Sequence, residues 1–140
     1  MPLTFHPKPG KVLICDFNTG FKAPEMIKKR PVVVVSPRPR RKKQLCIVVP
    51  LSTTRPDPKE DFHHRLSSES LPGRLAESET WAKCDMLATV CLERLDRVKI
   101  GKSSEGKRLF VSHMLTRADF SAIQKGILAA LGLKRLTTFL

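Results

Sequence analysis

The chain has 140 residues, 41% of them hydrophobic and 28% charged, a balance that excludes a disordered chain and suits one globular core. At this length folding buries roughly 68–70% of the surface an unfolded chain exposes, so no disulfide framework or structural metal is required. Lysine and arginine number 26 against 13 acidic residues, a net charge of +13 at pH 7, which points to a polyanionic partner: nucleic acid, an anionic membrane surface or an acidic protein.

Residues 11–17 (KVLICDF), led by Gly10, predict a strand, and 18–30, with Gly20, Pro24 and no clean period, predict a loop. Residues 31–36 (PVVVVS) are apolar on both faces and predict a strand covered on both sides. The basic run 37–43 (PRPRRKK) cannot continue it, and 44–52 (QLCIVVPLS) predicts the next strand, so the two form a hairpin with a basic tip. Residues 53–80 are rich in proline, serine and charge and predict a long excursion with one short strand near His64–Leu66. Over 81–91 the alternation puts Ala82, Cys84, Met86, Ala88 and Val90 on one strand face and Trp81, Lys83 and Asp85 on the other. Two more short strands are expected at 95–100 and 108–113, around Gly101 and Gly106. Thr116 with Asp119 has the form of a capping box, and Phe120, Ile123, Ile127 and Leu131 recur at helical spacing up to Gly132. About six short strands and then one helix make a single, mainly β domain: a small, strongly curved antiparallel sheet closed by a C-terminal helix. The barrel is expected over about 10–113 and the helix over about 116–131.

Cys15, Cys46, Cys84 and Cys91 include no CxxC pair and sit in apolar runs, which predicts buried free thiols in a reducing cytoplasm. The N-terminus shows no secretory pattern, and no apolar stretch approaches the roughly 20 residues that span a bilayer, so a soluble cytoplasmic protein without membrane association is expected. Residues 26–56 carry nine basic and no acidic side chains: Lys28, Lys29, Arg30, Arg38, Arg40, Arg41, Lys42, Lys43 and Arg55. With no acid nearby to compensate it, this stretch favours phosphate contact over a merely solvated hairpin tip. The absence of tyrosine argues against a base-stacking platform.

Three blocks, in order, resemble the PemK/MazF family of bacterial toxins, the toxic half of type II toxin–antitoxin pairs. They are Gly10–Phe17, a strand ending in an acidic residue; Glu25 with Arg30-Pro31 and the strand Val32–Val35; and Val49-Pro50-Leu51-Ser52-Thr53. Lys83-Cys84-Asp85 is similar to a basic-x-Asp element of some members. The resemblance implies an SH3-like barrel with a C-terminal helix, usually a homodimer. It also implies a bacterial endoribonuclease that cleaves single-stranded RNA without a metal or cofactor, neutralised by a cognate antitoxin and able to contact operator DNA in complex with it.

That chemistry fits these residues. Cleavage by the neighbouring 2′-OH leaves a 2′,3′-cyclic phosphate and requires a base, charge stabilisation at the phosphoryl oxygens and a proton for the leaving oxygen. Arg30 suits charge stabilisation through its planar fork, and a hydroxyl at Ser52 or Thr53 can donate to another phosphoryl oxygen. Glu25 has two readings, a general base or, preferred here, the bidentate partner that holds Arg30. Lys83 and Asp85 would add a phosphate contact and an acid or base on the same strand face. Lys28, Lys29, Arg38 and Arg40–Lys43 are expected to bind RNA without taking part in the chemistry. His63 and His64 lie outside the matched blocks and on opposite strand faces, so both cannot serve one phosphate, and no nearby set completes a zinc site. The competing reading is a non-catalytic SH3-like nucleic-acid-binding module, or a degenerate toxin that only binds its antitoxin or operator DNA.

Overall fold

β-branched runs make the centre of the molecule. The computed structural model describes residues 3–39, 44–111 and 113–140, and in it β1 (Val12–Asp16), β2 (Lys29–Val34) and β3 (Leu45–Ser52) lie side by side, antiparallel. The chain continues through β4 (His63–Arg65), β5 (Trp81–Lys83), β6 (Ala88–Cys91), β7 (Leu95–Asp96), β8 (Val98–Lys102), β9 (Arg108–Val111) and the helix α1 (Arg117–Ala130). The main sheet has the order β4-β5-β3-β2-β1-β7, with β6 also on β3, and β8 and β9 form a separate hairpin.

Val32, Val33 and Val34 are each fully buried because the sheet has a core on both sides. Val32 and Val34 face inward with Leu13, Cys15, Phe17, Val48 and Val90, whereas Val33 faces outward with Val12, Val49, Ala82 and Ile123 of α1. The expected barrel is curved but not closed by a hydrogen-bonded ladder among the described residues. β6 lies against β3, β7 lies against β1, and the 3-10 turn Leu92–Arg94 carries the chain from one edge to the other. With two residues in β7, the covalent chain closes the curve where a ladder would otherwise run.

The single strand expected at 81–91 is broken. Continuing the β3–β5 register would set Val48 opposite Asp85, yet its partner is Ala88, three residues later. The 3-10 turn Cys84–Met86 absorbs the difference. A slip by an odd number reverses the faces, so Ala82 and Cys84 enter the outer core while Val90 enters the inner one. Lys83 and Asp85 therefore do not share a strand face.

The helix begins as its sequence predicts: Thr116 is the N-cap, and its hydroxyl accepts from the Asp119 amide at 3.2 Å. The Asp119 carboxylate does not turn back to complete a capping box. It accepts from the backbone and side chain of Ser67, at 3.0 and 2.8 Å, and from the Ser70 hydroxyl, and it contacts His64 Nε2 at 2.8 Å. The excursion 53–80 is thus docked on the first turn of α1 through β4 and the residues after it. No helix among the described residues is long and apolar enough to cross a membrane. All four cysteines are free, and burial pushes the Cys15 and Cys84 thiols up to about 12 and Cys46 to about 11.

Candidate active site

Arg30 is the second residue of β2, two positions after a reversal at Lys28, whose φ of 71° is left-handed. The Lys28 carbonyl accepts from the Phe17 amide at 2.9 Å and closes the loop between β1 and β2. Arg30 pairs with Cys15 across β1–β2, and carrying the β2–β3 register two residues past Val32↔Pro50 aligns it with Ser52. Ser52 pairs in turn with Trp81, and Trp81 with Arg65. Residues directly opposite in a sheet share a face, so Ser52, Trp81 and Arg65 form one row across three strands, and Arg30 falls on the line of that row two residues past the last β2–β3 pair. In the adjacent row, two positions along β5 on the same face, Lys83 pairs with His63.

The hydroxyl of Ser52 accepts from the Thr54 amide at 3.1 Å, the turn expected at a strand end, and its proton stays available to donate. Thr53 is exposed at the tip of that turn. Arg55 clamps the turn to the β5 side: its Nε and Nη2 each donate to Glu79 at 2.9 Å, and Trp81 Nε1 donates to the same carboxylate at 2.8 Å. Hydrogen bonds from Arg55 and Trp81 hold the Glu79 carboxyl down at about 2.

The bidentate Glu25–Arg30 pair expected from the sequence is absent. Arg30 is half-buried, and its Nε donates to the Ile27 carbonyl at 3.2 Å. The reversal at Lys28 folds the guanidinium back over its own loop. Among the described residues its Nη groups enter no hydrogen bond or ion pair. Glu25 instead faces a cleft of about 390 Å³ lined by Phe17, Phe21, Met26 and Met86, and Asp85 from the 3-10 turn lines the same cleft. The two carboxylates proposed from sequence thus line one cleft, and neither pairs with Arg30 or Lys83.

The basic residues divide as well. Lys29 pairs with Asp16 and, one position from Arg30, points to the other face. There it lines a second cleft with Arg94, Lys99 and Arg108. Lys28 and Arg38 are exposed, and Arg40, Arg41, Lys42 and Lys43 lie outside the described residues. His63 and His64 do face opposite ways, His64 to Asp119 and His63 to the Lys83 row. Sequence reading passed over Arg65, because only the β4–β5 register brings it into line with Ser52.

Residues 8–128 match the family model of the PemK-like, MazF-like toxin of type II toxin–antitoxin systems. The chain is 33% identical to YifN, an uncharacterized protein of Escherichia coli strain K12, over 118 residues, 71% of this chain and 78% of that one. An endoribonuclease from a mycobacterial species superposes with a TM-score of 0.60 at 21% identity, covering 94% of this chain and 97% of its own. MazF from Deinococcus radiodurans gives 0.61 at 16% identity over 91% and 98% of the two chains. The Mycobacterium tuberculosis toxin MazF-mt6 gives 0.56 at 16% identity over 88% and 97%. With these solved structures the likeness is one of fold.

Proposed function

Because the chain belongs to the PemK-like, MazF-like toxin family of type II toxin–antitoxin systems, we propose that it is an endoribonuclease acting on single-stranded RNA, mRNA in particular. The reading rests on one observation above all: Arg30 has both Nη groups unengaged among the described residues, at the β2 position that the β2–β3 register, carried two residues past its last pair, aligns with Ser52. A guanidinium and a hydroxyl on one face of the sheet suit the extra charge that accumulates on phosphoryl oxygens as the 2′-OH attacks. Arg30 serves as the charge partner rather than as a proton donor, since a guanidinium keeps its proton and acts through its fixed charge and donor fork.

Glu25, not tied to Arg30, takes the 2′-OH proton, and the leaving 5′-oxygen is protonated by water or by the Glu25 acid so formed, with Asp85 in the same cleft as the second carboxylate available for proton transfer. Ser52 donates to a phosphoryl oxygen, with Thr53 as the neighbouring hydroxyl. Lys83, Lys28 and Arg38 grip flanking phosphates, as do Arg40, Arg41, Lys42 and Lys43. The ribose itself supplies the nucleophile, so the cut proceeds without a metal and leaves a 2′,3′-cyclic phosphate and a 5′-OH. An antitoxin that neutralises the protein, a homodimer, operator DNA bound in complex with the antitoxin, and a cytoplasmic setting complete the reading.

Incubation of the purified protein with a long single-stranded RNA in EDTA, followed by end-group analysis, tests it. Cyclic phosphate and 5′-OH ends are expected. Cleavage that stops in EDTA and returns with Mg²⁺ overturns the metal-free mechanism, and binding without cleavage transfers the case to a nucleic-acid-binding module.

A further inference from the structure

The loop that carries Glu25 to the start of β2 is anchored to the inner core through Phe21 and Met26, and one cation from a distant part of the chain ties down the root of that loop. Arg94 ends the 3-10 turn Leu92–Arg94, and its backbone is fixed because Leu92 and Leu95 on either side are buried in the inner core. From there Nη1 donates to the carbonyl of Asp16, the last residue of β1, at 2.9 Å. The guanidinium carbon lies 5.0 Å from the centroid of the Phe21 ring, and that ring meets Phe17 edge-on at 5.0 Å. A Cβ on Gly20 would stand 3.1 Å from Arg94 Nη2, so the loop closes directly onto the guanidinium at a residue whose φ of 81° suits glycine. Residues 18–20 and 22–25 are otherwise exposed or nearly so.

These contacts converge on the root of the segment whose far end presents Glu25 and Arg30. Arg94 does not line the cleft shared by Glu25 and Asp85, and it is not in the Arg30–Ser52 row. We infer that Arg94 is a positioning residue, a staple that holds the β1–β2 loop so that Glu25 and Arg30 keep a fixed relation to the scissile phosphate. The assignment of a catalytic consequence rests on the endoribonuclease reading above; the staple itself does not. Its energetics fit the task. A hydrogen bond from a charged donor and a cation over an aromatic face are each modest in isolation, but a displacement of about 1 Å at a reacting group can cost on the order of 100-fold in rate.

The test compares wild type with Arg94→Ala, Arg94→Lys and Phe21→Ala by amide hydrogen exchange and by single-turnover cleavage of RNA. Arg94→Ala should speed exchange across residues 17–28 while leaving α1 at the wild-type rate. It should also lower the cleavage rate at saturating RNA by about tenfold or more, with KM within about twofold. Arg94→Lys, which keeps a donor for Asp16 and a cation for Phe21, should recover most of both. Phe21→Ala, which leaves Arg94 in place, should reproduce the exchange effect should Arg94→Ala fail to fold. Unchanged exchange in the loop overturns the staple. A wild-type rate in a variant with a loosened loop overturns its catalytic consequence. If wild type itself cuts no RNA, the endoribonuclease reading falls and the exchange measurements alone decide the staple.

Discussion

Nε2 of His64 lies 2.8 Å from Oδ1 of Asp119, which fastens β4 to the first turn of α1. Burial pushes the Asp119 carboxyl up, but bonds from Ser70, His64 and Ser67 outweigh it and hold the group at about 2. A folded pKa below the unfolded one adds stability that is complete above about pH 5 and lost as pH falls from about 4 to about 2. The size is about 2 kcal/mol. Asp119→Asn should therefore cost about that much at pH 7, and the difference from wild type should shrink toward zero by about pH 2. Urea denaturation across this range measures it, and a difference that does not vary with pH would refute the assignment.

Gly126 in mid-helix is unfavourable by about 1 kcal/mol relative to alanine on propensity alone. Its place is set by packing, because a Cβ there would stand 2.7 Å from Cys84 Sγ and 3.2 Å from Cys84 Cβ. Gly126→Ala should destabilise the fold by about 1–3 kcal/mol despite the better helix former. Adding Cys84→Ala removes the sulfur and should restore part of the loss, since the Cβ at position 84 and the Phe62 carbonyl oxygen, 3.4 Å away, remain. A stabilised single variant in thermal or denaturant melts would mean that the two elements are less closely seated.

These two sites mark where the sequence was legible and where it was not. The strand at Val32–Val34 and the start of α1 at Thr116 were readable because both follow from local pattern: β-branched residues covered on both faces, and a hydroxyl three residues before an acid. The break at Cys84–Met86 was not, because Ala82, Cys84, Met86, Ala88 and Val90 keep their apolar alternation through it. The slip is imposed by two registers on β3, both non-local. The same holds for the site. Arg30, Glu25 and Ser52 could be singled out from sequence as candidates, but the expected Glu25–Arg30 pair is not formed, and only the ladder places Arg65 and Ser52 on either side of Trp81. The capping pattern located Asp119 without revealing that its carboxylate serves the excursion.

The basic residues should separate into affinity and chemistry. If Arg40, Arg41 and Lys42 grip phosphates as proposed, replacing them by alanine should weaken binding across RNA sequences alike and make its salt dependence shallower by about one unit of slope per lost contact. Cleavage at saturating RNA should hold its rate. Filter binding over a salt series with single-turnover kinetics checks both, and a fall in the saturated rate would place the run in the active site.

Arg30 and Glu25 carry the decisive prediction. Removing a preorganised charge partner where phosphoryl charge accumulates typically costs on the order of 10²–10³ in rate, about 3–4 kcal/mol. Arg30→Ala should lose about that much while its circular dichroism stays that of wild type. Arg30→Lys should be nearly as damaging, since an ammonium restores the charge but not the two-pronged geometry. Glu25 separates the two roles open to it. The guanidinium of Arg30 is held by the Ile27 carbonyl and not by Glu25, so Glu25→Gln should leave Arg30 where it is. If Glu25 takes the 2′-OH proton, the amide cannot, and the rate should fall by about 10²–10⁴. The acidic limb of the pH–rate profile should vanish with it. A Glu25→Gln enzyme with an unaltered acidic limb would exclude Glu25 as the base and leave Asp85, the other carboxylate of the cleft, as the residue to replace next.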